Sequence, residues 1–255
     1  MRRLLAVCAV LACLAALFYY AYFYEPYAVQ VTKLSIKVPG LHRELLVLAV
    51  SDLHLSSHDW KNAEYLVSLA CKLHPAMIWI AGDAVDSKQG LRLLARLLAQ
   101  LKPCTHYIIA VPGNWEYTCG CSKQVAEIYK KYGALYLVNK KIKLYNITIA
   151  GIDTLHPNFS VAQGAEIVLV HYPLYAKEIA EKYHPILVFC GHTHGGQVVL
   201  PGIGPLYLPK YSGGLVAGKY YINGTLVYVT RGLGLFKYFP FRFFCPPEIV
   251  ELRLV

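Results

Sequence analysis

The sequence predicts an α/β domain carried behind a single N-terminal apolar helix. Three observations predict it. Residues 4–24 contain no charged side chain and are long enough to cross a bilayer. From residue 45 onward, short apolar runs alternate with helical patterns, as βαβ units with parallel pairing do. Several of those runs end in aspartate, asparagine or histidine, where open α/β sheets place their sites.

At 255 residues the chain can bury a sizeable core in one domain. Hydrophobic residues make up 56% and charged residues 16%, which excludes a disordered chain. The formal net charge is +10, of which Arg2 and Arg3 supply two, leaving +8 for the remainder. Such a surface favours anionic partners. The basic residues are scattered, so no specific nucleic-acid partner is expected. No CxxC pair or zinc-ribbon spacing occurs among the eight cysteines, and no disulfide framework can be argued from them. Cys119-Gly120-Cys121 could bind a metal or oxidise, but reads most simply as a pair of loop thiols.

Arg2 and Arg3 precede the apolar run, and Phe18, Tyr19, Tyr20, Tyr22, Phe23 and Tyr24 crowd its far end like an interfacial aromatic belt. A cleaved signal peptide would need small residues where these aromatics stand. Residues 1–27 are therefore expected to be a retained single-pass anchor and 28–255 the domain. Arginines before the span, and no Lys or Arg after it until Lys33, put the N-terminus in the cytoplasm and the domain outside.

Residues 29–38 alternate as a strand, Pro39-Gly40 turns, and 45–50 is a buried strand ending in Ser51-Asp52-Leu53-His54. Asp59 can cap a helix whose apolar positions 66, 69, 70 and 73 follow the 3.6-residue period, and His74-Pro75 stops it. The unit repeats in outline. A strand at 76–80 ends in Gly82-Asp83 and Asp86, and a helix over 91–101 stops at Pro103. A strand at 107–111 leads into Gly113-Asn114-Trp115-Glu116 and a helix from 122 to 132. The second half is richer in strands. Residues 147–150 and 167–170 are strands, the latter ending in His171, and 174–183 form a helix. The run 186–189 ends in Gly191-His192-Thr193-His194-Gly195-Gly196-Gln197, residues 220–229 make a hairpin on Asn223-Gly224, and 248–255 is a closing strand.

Metal-competent side chains thus stand at five strand ends: Asp52 with His54, Asp83, Asn114, His171, and His192 with His194. Singly, each reads as a turn or a structural histidine. Together they form a mixed carboxylate, imidazole and amide set that suits Mn, Fe or Zn. Seven such ligands exceed the needs of one ion, so two ions sharing a carboxylate fit best.

The ordered series Asp52-x-His54, Gly82-Asp83-x-x-Asp86, Gly113-Asn114-Trp115-Glu116, His171 and Gly191-His192-x-His194 resembles the calcineurin-like metallophosphoesterases. The form Gly-His-Thr-His-Gly-Gly-Gln, with Arg231-Gly-Leu-Gly234 and Pro246-Pro-Glu248 downstream, is similar to the membrane- or wall-associated phosphodiesterase-like branch, some of whose relatives act on lipid-linked UDP-sugars. The resemblance implies two mixed sheets packed face to face and flanked by helices. It implies that Asp52, His54 and His194 hold one metal, that Asn114, His171 and His192 hold a second, and that Asp83 bridges them. Asp86 would stand behind the ligands and orient His54. Asn114 and, in a supporting part, Glu116 would be the catalytic side chains, with a metal-bridged hydroxide attacking phosphorus in line. In the family, a histidine that stabilises the transition state or protonates the leaving group follows the asparagine. Here Trp115 takes that place, and indole cannot deliver a proton at neutral pH. His58 is a conceivable substitute, though it also reads as a helix-entry surface residue.

Histidines 42, 74, 106, 156 and 184 have no motif around them. Residues 235–244 are bulky and aromatic, with Lys237 and Arg242 interleaved: either a core strand plus loop, or a basic-aromatic wall near the membrane. Sequons stand at Asn146, Asn158 and Asn223, the last also the hairpin turn. The expected function is hydrolysis of a phosphodiester or pyrophosphate on an anionic substrate, free or lipid-linked. A phosphomonoesterase, a non-catalytic scaffold of the same fold and a nuclease are the alternatives.

Overall fold

The computed structural model describes residues 1–56, 60–236 and 238–255. Asp59, His58 and Lys237, singled out above as helix cap, proton donor and wall residue, lie outside the described residues. The N-terminal helix α1 (Arg2–Tyr19) has no buried residue. It continues through a π-helical turn at Tyr20–Tyr24 and a 3-10 turn at Glu25–Tyr27. Over Arg2–Tyr27 it is long and apolar enough to cross a membrane, with a mean hydropathy of 2.4 in its most apolar 18-residue stretch.

β1 (Gln30–Ile36) follows, then three βα units: β2 (Leu45–Val50) with α2 (Lys61–Leu73), β3 (Met77–Ala81) with α3 (Gly90–Leu101), and β4 (Tyr107–Val111) with α4 (Trp115–Thr118) and α5 (Ser122–Lys131). β5 (Leu135–Tyr136) ends this half. The second half contains β6 (Lys140–Leu144), β7 (Ile147–Gly151), β8 (Ile167–Leu169), α6 (Pro173–Tyr183) and β9 (Leu187–Cys190). A small hairpin, β10 (Val199–Leu200) and β11 (Gly204–Pro205), precedes β12 (Gly218–Ile222), β13 (Thr225–Val229) and β14 (Glu248–Leu254).

These strands form two six-stranded mixed sheets, ordered β1-β14-β2-β3-β4-β5 and β12-β13-β9-β8-β7-β6. β2, β3, β4 and β5 run parallel, as do β7, β8, β9 and β13. β14 inserts between β1, to which it is parallel, and β2, to which it is antiparallel. The facing sides of the sheets share one apolar cluster, in which Trp79 of β3 meets Phe189 of β9 edge-on at 6.4 Å. A second cluster lies under α2, α3 and α5, and a third under α6. The central strands are buried on both faces, which is why they read as unbroken apolar runs.

Helix ends follow the sequence. His74 and His184 close α2 and α6 in the left-handed conformation (φ 46° and 49°), each followed by a proline that cannot continue the helix. Three expectations need correction. The described residues of 235–244 contain no core strand: Phe236 and Phe239 make only an isolated bridge, and Phe243 another with Val198. Arg242 there is fully buried rather than part of a basic wall, because it donates to four backbone carbonyls, those of Arg231, Gly232, Gly234 and Cys245. Cys119 and Cys121 are not simple loop thiols but pair with each other, and Cys71 pairs with Cys104, fastening α2 to the end of α3; Cys8, Cys13, Cys190 and Cys245 are free.

Candidate metal centre

The metal-competent side chains meet where the parallel strands of both sheets end. β2 delivers Asp52 and His54, β3 delivers Asp83, β4 Asn114, β8 His171, and β9 both His192 and His194. At these strand ends Asp52, His54, Asp83, His192 and His194 adopt φ of 53°, 43°, 50°, 73° and 49°. Left-handed backbone costs a residue with a Cβ roughly 1–3 kcal/mol. Five such residues around one point mark a site the rest of the fold holds in place.

The side chains form two groups, each with donor atoms within 4.8 Å of one another and able to hold a metal ion: Asp52, His54 and His194, and Asp83, His171 and His192. Asp83 lies between them. Its Oδ2 is 3.0 Å from His171 Nε2 and 3.8 Å from His54 Nε2. Asn114 Oδ1 joins the second group at 3.1 Å from His171 Nε2. Asp52 Oδ1 is 3.6 Å from His194 Nε2, and both its oxygens accept from the backbone N–H of His192, at 3.0 and 2.9 Å. All seven expected ligands therefore converge.

The outer ring nitrogens fit metal binding. His171 Nδ1 faces the Ala81 carbonyl at 2.9 Å, and His192 Nε2 faces the Lys210 carbonyl at 2.6 Å. A carbonyl cannot donate, so each of these nitrogens carries a proton, and the other nitrogen of its ring is the one that can offer a lone pair to a cation. Metal-ligating histidines are held in this way. Two glycines make room. A Cβ on Gly113 would overlap Asp83 Oδ1, and one on Gly191 would overlap Ser51 Oγ.

The electrostatics are those of buried donors awaiting positive charge. Burial raises the Asp52 carboxyl above the ordinary range. Burial, the largest single influence, would raise Asp83, but His171, His54 and the Trp115 N–H together outweigh it and hold Asp83 down at about 2. Burial would lower His171, yet Asp83 and then Asp52 push it up to about 9. Burial, aided by His171, lowers His192 to about 4, and burial drives His194 well below its usual value.

Asp86 is buried nearby, but the expected contact with His54 is absent. His54 Nδ1 and Asp86 Oδ2 both lack a hydrogen-bond partner among the described residues. The carboxylate that organises this end of the sheet is Glu116. Its two oxygens accept from Ala84 N–H at 2.6 Å and Gly113 N–H at 2.8 Å, tying the Asp83 turn to the Asn114 turn. Burial, and secondarily Asp83, pushes the Glu116 carboxyl up to about 7.

Two supports were hidden in the sequence. Arg242 shapes the 231–234 segment, whose Leu233 and Gly234 N–H groups donate to Ser51 and Asp52 carbonyls at 2.9 and 2.8 Å. Glu248 accepts from Tyr228 Oη, Thr230 Oγ1 and the backbone and guanidinium of Arg231, so the downstream motifs brace the Asp52 turn. Neither part has a local signal beyond the motif strings themselves. Trp115, Phe236 and His54 cluster above the site, with ring centroids 5.8–6.3 Å apart.

Residues 45–196 match the calcineurin-like phosphoesterase family. An uncharacterised metallophosphoesterase of Bacillus subtilis strain 168, YkuE, is 29% identical over 92% of this chain and 88% of its own length. The phosphodiesterase YaeI of Escherichia coli K12 is 28% identical over 82% of each chain. A Danio rerio transmembrane protein with a metallophosphoesterase domain is 29% identical over 86% of this chain and 55% of its own length. With a family match over more than half of its length and a cluster of aspartate and histidine donors, the chain belongs to the calcineurin-like phosphoesterases and is a metal-dependent phosphoester hydrolase.

Proposed function

We propose that the protein is a membrane-anchored, dinuclear phosphoesterase that cleaves a phosphodiester or pyrophosphate in an anionic, lipid-linked substrate. The observation that carries this reading is the pair of donor groups with Asp83 between them. Asp52, His54 and His194 would hold one divalent cation, Mn, Zn or Fe, and Asn114, His171 and His192 would hold the other, with Asp83 shared between them. Such a pair, when bound, activates water near neutral pH and neutralises charge on the phosphoryl oxygens.

The chain's own part is to hold these donors in place and in the tautomers a cation needs. The Ala81 and Lys210 carbonyls set the tautomers of His171 and His192. Glu116 locks the two turns that carry Asp83 and Asn114. Trp115 supplies no proton, which favours substrates with a good leaving group, such as the nucleotide phosphate of a pyrophosphate ester. Residues 1–27 are the anchor and 28–255 the catalytic domain, with the N-terminus cytoplasmic and the domain outside.

Hydrolysis of bis-p-nitrophenyl phosphate with added manganese tests this. Activity is expected, and to be lost in both Asp83→Ala and His192→Ala; unchanged activity in the two variants refutes the site. One observation favours a second reading, a metal-binding scaffold: Trp115 stands where the family's proton donor should be. Bound ions with no turnover on any phosphodiester, pyrophosphate or monoester would establish the scaffold.

A further inference from the structure

We propose that a cavity between the end of the N-terminal helix and the metal centre binds the apolar tail of an amphiphilic phosphoester, with the helix itself forming one wall. The cavity measures about 500 Å³, within the range of small-molecule sites. Tyr22 and Phe23 line it from the helix side, Leu235 and Pro240 from the 235–244 segment, and His54 and Asp86 from the edge of the metal centre. One space thus touches both the apolar helix and a metal-ligand candidate.

The helix end is built into the domain rather than tethered to it. Arg242 N–H donates to Ala21 carbonyl at 3.0 Å. The buried Glu25 carboxylate accepts from the backbone N–H groups of Phe244, at 2.8 Å, and Cys245. Asn62 Nδ2 donates to Pro26 carbonyl at 2.9 Å and to Leu233 carbonyl at 2.8 Å. The rings of Tyr22 and Phe241 stack at 6.3 Å. Gln197, the last residue of the histidine-glycine motif, donates through Nε2 to the Phe239 and Phe241 carbonyls, so the same segment is also fixed from the metal side.

This arrangement has a chemical consequence. A helix inserted to its aromatic end puts the cavity at the bilayer surface. A ligand whose tail lies against Tyr22, Phe23, Leu235 and Pro240 places its phosphate beside His54. Asp86 contributes a buried carboxylate oxygen that has no donor among the described residues, and a hydroxyl on the polar part of the ligand would satisfy it.

The site rests on the phosphoesterase reading above, and the experiment separates the two. Full-length protein in nanodiscs is given p-nitrophenyl alkyl phosphodiesters from methyl to octyl with manganese. In parallel, n-alkyl phosphates of the same lengths are titrated calorimetrically. Full burial of a methylene corresponds to about fourfold in affinity; with one polar wall, about twofold per methylene is expected in both kcat/KM and Kd. Leu235→Trp, which fills the cavity, and Phe23→Ala, which opens its wall, should each flatten that slope. Turnover without a chain-length slope, or an equal slope in wild type and both variants, overturns the tail site. A calorimetric slope that both variants flatten, without turnover of any ester, keeps the tail site and refutes the phosphoesterase reading.

Discussion

His54 Nε2 and His194 Nε2 face each other at 3.0 Å, their rings 29° from parallel. They arrive from β2 and β9, one strand from each sheet, 140 residues apart. Both Nδ1 atoms are buried without partners among the described residues. Two buried imidazoles aimed at one another leave a lone pair to be satisfied, and a cation satisfies both rings together. Stripping the protein with a chelator should therefore lower its thermal midpoint by several degrees, since a bound ion stabilises by mass action. Re-addition of manganese should restore it; an unchanged midpoint would show that these donors do not bind a cation.

Gly113 has no room for a side chain. Gly113→Ala pushes a methyl group into Asp83 Oδ1. Overpacking of this kind costs about 1–3 kcal/mol, and displacing the carboxylate between the two donor groups should cut activity about 10–100-fold. Denaturation and kinetics on the purified variant check both. An active variant with wild-type stability would mean that the Asp83 turn is more compliant than its packing indicates.

The pair His171 and Asp83 sets a pH dependence. His171 titrates at about 9 in the folded, metal-free chain against an ordinary 6.5. Its contribution is fully present below about 6.5 and is lost as pH rises through 9. It is on the order of 3 kcal/mol. Metal-free protein should lose that stability between these limits, and manganese, which competes with the proton, should stabilise more at pH 9 than at pH 6. Urea denaturation with and without the ion at the two pH values measures this. Equal stabilisation by manganese at both would contradict it.

Trp115→His restores the residue type the family carries after the asparagine. General-acid help is worth about 10²–10⁴-fold where the leaving group needs a proton. The variant should hydrolyse an alkyl diester about 100-fold faster while changing bis-p-nitrophenyl phosphate hydrolysis by only a few fold. If the alkyl ester gains nothing, position 115 does not face the leaving group.

The seven residues that converge on the candidate site were legible because they sit at the ends of strands, where an apolar run stops at a polar group. β2 and β4 are predicted at their observed limits, and β3 within a residue. The hairpin at Asn223-Gly224 is also as expected. β6 escaped notice because Lys140, Lys141 and Lys143 disguise it; it is an edge strand, where charge is protective. The insertion of β14 between β1 and β2 has no local signal, since pairing order is decided by long-range packing. The Cys71–Cys104 bond joins positions 33 residues apart that only the docking of α2 against the end of α3 brings together. Arg242 looked like a surface cation because its four carbonyl partners belong to turns whose shape the sequence does not reveal.

A paired metal site that hydrolyses phosphoesters can be read out in one titration of the metal-free protein with manganese while hydrolysis of bis-p-nitrophenyl phosphate is followed. Activity is predicted to rise and level off at about two equivalents per chain, the number implied by two donor groups. A plateau at one equivalent, or no hydrolysis at any loading, would contradict it.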